Sequence, residues 1–203
     1  MIRRLLPLSA MRHDERGAAL MEFALVAPVM IMMIMAGFDA GYSVYLHSVA
    51  NGALEQRARA ASLDGATESQ FDIEIRDAMY EVLPAYADNE ESVVVSKKNY
   101  TDYSRIDSAE DISVDNNENG VLDPGDCWID EDGNGAYGMN EGADGLGGAD
   151  DGVYYTVTLQ FPRLFPLAPM MGLPEDQTVT VRTLVINQPY GSQQVRATEC
   201  VPL

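Results

Sequence analysis

Residues 18–37, AALMEFALVAPVMIMMIMAG, hold one charged side chain, Glu22. Twenty residues rising about 1.5 Å each span roughly 30 Å, the hydrocarbon thickness of a bilayer, so the run predicts a single transmembrane helix. Arg3, Arg4, Arg12 and Arg16 all precede it, and the next Lys or Arg is Arg57. That asymmetry predicts a cytoplasmic N-terminus and a C-terminal domain on the far side, with Tyr42 and Tyr45 near the outer interface. Pro28 can bend such a helix without preventing it from spanning. An ordinary signal peptide has a shorter apolar region. A plain anchor explains the length but leaves Glu22 unexplained, because a lone intramembrane carboxylate costs a few kcal/mol and is retained for a partner.

Beyond the span the helical pattern continues through Leu46, Val49, Ala53, Ala60 and Leu63, with Asp64-Gly65 as a stop. Thr67-Glu-Ser-Gln70 reads as a capping box. It opens an amphipathic helix with Phe71, Ile75, Met79 and Val82 on one face and Pro84 after its end. Residues 92–100, 153–161 and 178–188 alternate as antiparallel strands. The Pro-rich apolar segment PRLFPLAPMMGLP between the last two reads as a crossover capping the sheet. The expected fold class is α+β: a long N-terminal transmembrane helix, then a helix plus a small antiparallel β-sheet domain with calcium-binding loops. The expected divisions are 1–17 as leader, 18–64 as transmembrane and extended helix, and 65–203 as the α+β domain with a loop insertion at 113–152.

The chain carries 32 Asp and Glu against 13 Lys and Arg, a net charge of −19. Phosphate binding needs clustered cations, so nucleic acid is excluded as a partner. Residues 107–151 contain 14 acids and no Lys or Arg, which suits either a solvated acidic linker or a cation site. DNNENGVLDPGD places Asp115, Asn117, Asn119, Gly120, Val121, Asp123 and Asp126 at positions 1, 3, 5, 6, 7, 9 and 12 of a calcium loop. Short oxygen side chains wrap one side of the ion, Gly makes the turn, Val121 offers its carbonyl, and the last acid closes the far side. DEDGNGAYGMNE repeats the register with Asp130, Asp132, Asn134, Gly135, Ala136 (carbonyl), Gly138 and Glu141. Gly138 at position nine leaves water to fill in there. Two ions of Ca2+ are expected, in loops resembling the DxNxNG type of bacterial exported proteins. Asp144, Asp150 and Asp151 could supplement a site, although their spacing does not require it.

Cys127 and Cys200 are the two cysteines. A disulfide is the expected state outside the cytoplasm. The alternatives are two free thiols or a soft-metal site, which the scarcity of His disfavours. His13 lies in the leader and His47 on the extended helix, so a nucleophile–His arrangement in the domain has no His to use. No enzymatic activity is expected.

Gly17 followed five residues later by Glu22 looks like a type IV prepilin processing site. The wider stretch RGAALMEFALVAPVMIMMIMAGFDAGYSVY, with its Gly37, Asp39, Gly41 patch, resembles the TadE/TadG-like family of tight-adherence (Tad) pilus assembly proteins. The resemblance covers residues 16–63. It implies cleavage after Gly17 by a prepilin peptidase, so that Ala18 becomes the first residue and Glu22 the fifth. The freed Ala18 amine of one subunit could then meet Glu22 of a neighbour. The implied protein is a minor pilin or pseudopilin-like subunit in the bacterial inner membrane, with a periplasmic domain and a possible place at the pilus or cell surface. Its partners would be pilin-like subunits, the assembly machinery and the membrane. The alternative is a membrane-anchored calcium-dependent adhesion module outside any filament.

Overall fold

A computed structural model describes residues 15–63, 67–82, 92–165, 169, 172 and 174–203. The chain divides into two compact units, residues 1–44 with 162–176, and residues 45–161 with 177–203. Helix α1, Glu15–Ala61, is continuous through Pro28. It is the one helix among the described residues long and apolar enough to cross a membrane, with mean hydropathy 2.2 in its most apolar window. The leader before Glu15, Asp64-Gly65 and Pro84 lie outside the described residues.

In the first unit, Asp39 is buried and Arg163 is its counter-ion, Nη1 donating to Oδ2 at 2.7 Å. The Leu164 amide donates to the other carboxylate oxygen at 3.1 Å. The 162–176 segment groups with the apolar part of α1, where the Asp39 carboxylate pairs with its single cation; part of the expected crossover lies outside the described residues.

In the second unit α1 buries Leu46, Ala50, Leu54 and Ala58. This stripe repeats every four residues and includes Leu46, as expected. It replaces Ala60 and Leu63, which are exposed, and leaves Val49 and Ala53 half-buried. Small alanines at positions 50 and 58 allow close approach, whereas the expected set drifted to the adjacent flank. Helix α2, Glu68–Val82, buries Phe71, Ile75 and Met79. Its Thr67 cap is half a capping box: the Gln70 amide donates to Thr67 Oγ1, while the Gln70 side chain donates to Glu74.

The strands form two sheets. The larger, in the order β4-β1-β5-β6, contains β1 (Val93–Tyr100), β4 (Ala143–Asp144), β5 (Gly152–Pro162) and β6 (Asp176–Ile186). Strands β1 and β5 pair antiparallel from Val93↔Leu159 to Tyr100↔Gly152. On β5 every second residue (Val153, Tyr155, Val157, Leu159, Phe161) is buried, the period of a strand with one face on a core. The Phe71 ring meets Tyr155 at 4.8 Å between centroids. The expected strands at 92–100, 153–161 and 178–188 are all present, the last shifted two residues earlier.

The second sheet, β2-β3-β7, was not expected. It contains β2 (Ile112–Val114), β3 (Cys127–Asp130) and β7 (Ala197–Cys200). Cys127 and Cys200 face one another in the β3–β7 register and are joined by a disulfide of 2.02 Å. The bond closes a span of 73 residues, for which chain entropy gives a stabilisation of about 4 kcal/mol. Ile75 has no exposed surface. Ile75→Ala should lower unfolding stability by about 2–5 kcal/mol in denaturant titration of the detergent-solubilised chain.

Candidate functional site

Strand β3 starts directly after Asp126, the last position of the first acidic loop, and ends on Asp130, the first position of the second. At about 3.3 Å per residue the strand separates these two carboxylates by roughly 13 Å along the backbone. Strand pairing on both sides of β3 thus sets the spacing of the loops.

Each loop is wound around its first aspartate. The Asp115 carboxylate accepts the backbone N–H of Asn117 (3.3 Å), Asn119 (3.3 Å) and Gly120 (2.7 Å). Asp130 accepts those of Gly133 (2.9 Å), Asn134 (3.1 Å) and Gly135 (3.0 Å). Position five repeats as closely. The Asn119 side-chain oxygen accepts the Val121 N–H at 2.7 Å, and the Asn134 oxygen accepts that of Ala136 at 2.6 Å. Position three does the same for position five, Asn117 Oδ1 to Asn119 N at 3.1 Å and Asp132 Oδ1 to Asn134 N at 3.0 Å. Gly120 and Gly135, both at position six, have φ of 73° and 72°, a region that favours glycine. Two stretches fifteen residues apart therefore take the same turn for the same reasons.

The far sides of the loops differ. In the first, Asp126 is 1% exposed, with Oδ1 accepting from Asn116 N (2.9 Å) and Oδ2 from Asp123 N (3.0 Å). Those donors hold its carboxyl below the ordinary range. Asp123 Oδ2 accepts from the amides of Asn117 and Asn119 at 3.0 and 2.8 Å. In the second loop Glu141 at position twelve is exposed, and its carbonyl accepts from Tyr100 Oη. The acid drawn in is Glu110, which precedes both loops. Among the described residues Glu110, Asp130 and Asp132 form the one group of three carboxylates whose oxygens lie within 4.8 Å of one another. Glu110 is 3% exposed and accepts from Glu131 N at 2.8 Å and Gly138 N at 3.2 Å. Burial raises its carboxyl above the ordinary range, with those two N–H groups opposing the shift.

The donors are all hard oxygens, the chemistry that calcium takes. Asp115, Asp123 and Asp126 are not gathered to the spacing of the second group. Two of the supplementary acids have other partners: Asp144 pairs with Lys98, and buried Asp151 accepts from Gly148 N. Glu110 had no signal in the sequence, because it lies twenty residues before the loop it joins. It is brought there by a bridge between Ala109 and Met139.

At the N-terminal end Gly17, Ala18 and Glu22 are helical and exposed, and Ala18 and Glu22 stand about one turn apart. Residues 17–59 match the family model described as TadE-like protein. Over that segment the chain is similar to TadE-like proteins. The match covers α1 nearly to its end and supports an association with the Tad pilus. No curated protein and no solved structure matches the chain. The acidic loops lie outside the TadE-like segment.

Glu110→Ala leaves two backbone N–H groups without their acceptor and should destabilise the chain by about 1–3 kcal/mol in the absence of added metal. Glu110→Gln keeps an acceptor oxygen and should lose less. Paired denaturant titrations check the order.

Proposed function

We propose that the protein is a minor pilin or pseudopilin-like structural subunit of a Tad pilus, processed after Gly17 and carrying a calcium-stabilised domain in the periplasm. The observation that carries this reading is the coincidence of the TadE-like match at residue 17 with Gly17, Ala18 and Glu22. The four arginines before the span and none until Arg57 support a cytoplasmic N-terminus. A prepilin peptidase would remove the leader, and the new Ala18 amine, cationic near neutral pH, would pair with Glu22 of a neighbouring subunit. That pairing offsets the cost of a carboxylate in lipid and fixes the axial register of packed helices. The role is assembly, not catalysis.

The domain reading rests on the matching turns at Asp115 and Asp130. Ca2+ in the first loop would draw on Asp115, Asn117, Asn119, the Val121 carbonyl, Asp123 and Asp126. In the second it would draw on Asp130, Asp132, Asn134, the Ala136 carbonyl and Glu110, with Glu141 or water completing the shell. A bound ion neutralises part of a segment that has no Lys or Arg of its own.

Glu22→Ala should still insert into the inner membrane but fail to co-purify with pilin-like subunits. Undiminished co-purification would remove the assembly role of Glu22. Added Ca2+ should raise the melting temperature of the full chain in detergent, and a chelator should reverse the gain. At a hundred times the dissociation constant the stabilisation is about 2.7 kcal/mol. An unchanged melting temperature with both Ca2+ and chelator would remove the calcium reading.

A further inference from the structure

The segment between β5 and β6 differs in character from the rest of this acidic chain. From Arg163 to Pro174, RLFPLAPMMGLP, it has no acid and one cation, with Leu164, Phe165, Leu167, Met170, Met171 and Leu173 as large apolar side chains. Its ends are drawn together at one point. The Arg163 amide donates to the Glu175 carbonyl at 3.1 Å, and Arg163 Nε donates to the Pro174 carbonyl at 3.2 Å. The same guanidinium donates through Nη1 to Asp39 at 2.7 Å, and the Leu164 amide adds 3.1 Å to the other oxygen. Asp39 thus holds the neck of the loop against α1.

The height of that neck follows from the helix. Asp39 stands two residues past Gly37, the end of the apolar run, a rise of about 3 Å. The polar layer on each side of the hydrocarbon core is roughly 5–8 Å deep, so Asp39 falls within it when residues 18–37 span. Leu164 beside it remains 48% exposed. A neck at that level would set an apolar side chain at the depth of the headgroups, next to the hydrocarbon boundary.

We propose that the Arg163–Phe165 turn is a second membrane contact, seating Leu164 at headgroup level of the bilayer that α1 crosses, with the Asp39–Arg163 pair as its tether. The remaining apolar residues of the segment have the composition of an interfacial loop. Such a contact would fix the rotation of α1 about its axis, since Asp39 faces one side of the helix only. The inference rests on residues 18–37 crossing the bilayer.

The test uses the full chain with its disulfide intact in vesicles of phosphatidylethanolamine and phosphatidylglycerol. An environment-sensitive fluorophore is attached in turn to Leu164→Cys, Pro169→Cys, Met32→Cys and Val195→Cys. Quenching by lipids spin-labelled near the headgroup is compared with quenching by aqueous iodide. The Met32 label should be lipid-quenched and the Val195 label, on a fully exposed residue of the other unit, iodide-quenched. The expected result at Leu164 and Pro169 is a blue-shifted emission and lipid quenching well above that of Val195. A Met32 label reached by iodide would mean that the span itself fails, and the second contact with it. A lipid-quenched Met32 with Leu164 and Pro169 reached only by iodide would overturn the second contact and leave the span standing. Labels protected from both quenchers would also overturn it, in favour of a protein partner. Asp39→Asn should reduce lipid quenching at Leu164 while leaving Met32 unchanged; equal quenching would remove the tether.

Discussion

Carboxylates turned inward need donors, and a chain with 32 acids and 13 Lys and Arg cannot supply each of them with a cation. Backbone N–H groups take up the deficit. Asp115, Asp126, Asp130, Asp151 and Glu110 each accept main-chain donors. Such bonds favour the ionised form: at Asp126 they hold the carboxyl low, whereas at Glu110 burial outweighs them. The turns that aim consecutive N–H groups at one oxygen require a residue in the left-handed region, which is where Gly120 and Gly135 fall. The scarcity of cations, the glycines and the wound loops are thus one constraint expressed three times.

Several of the few cations hold elements together. Arg57 joins α1 to α2 through Glu74, Lys97 joins β1 to α2 through Asp72, and Arg163 meets Asp39. Arg196, just before β7, donates to Asn99 of β1, and its Nε lies 3.9 Å from Glu131 at the end of β3. Asn99 in turn donates to the carbonyls of Ala143, Asp144 and Gly145. One arginine therefore connects the two sheets. Removing a partner from so buried an arrangement is more damaging than its small net contribution suggests.

The parts of the fold legible in the sequence are those with a repeating pattern or a local signature. The apolar run of α1, the Phe71–Ile75–Met79 face and the alternation of β5 each repeat over several turns or strand residues. The two loops were legible because Asp, Asn and Gly recur at fixed offsets. The β2-β3-β7 sheet was not, since CWID has four residues between acids and its partner ATEC is equally short. The two short strands become a sheet through pairing over a separation of 73 residues and through Cys127–Cys200. Glu110 was invisible for a related reason, as its role depends on a bridge formed far along the chain. The tether of 162–176 to Asp39 also needed three dimensions, because sequence shows an apolar segment but not what its single arginine meets.

The TadE-like segment and the acidic domain make separate demands, and the proposed role joins them: α1 supplies packing and membrane insertion, and the loops supply a folded head for an otherwise self-repelling chain. The joining point is the peptide bond after Gly17, because only its cleavage makes Glu22 the fifth residue and frees an amine to neutralise it. Intact-mass measurement of the chain extracted from its native membrane tests this most directly. The account predicts a mass lacking residues 1–17 and an N-terminus at Ala18. A chain that retains its leader would contradict it.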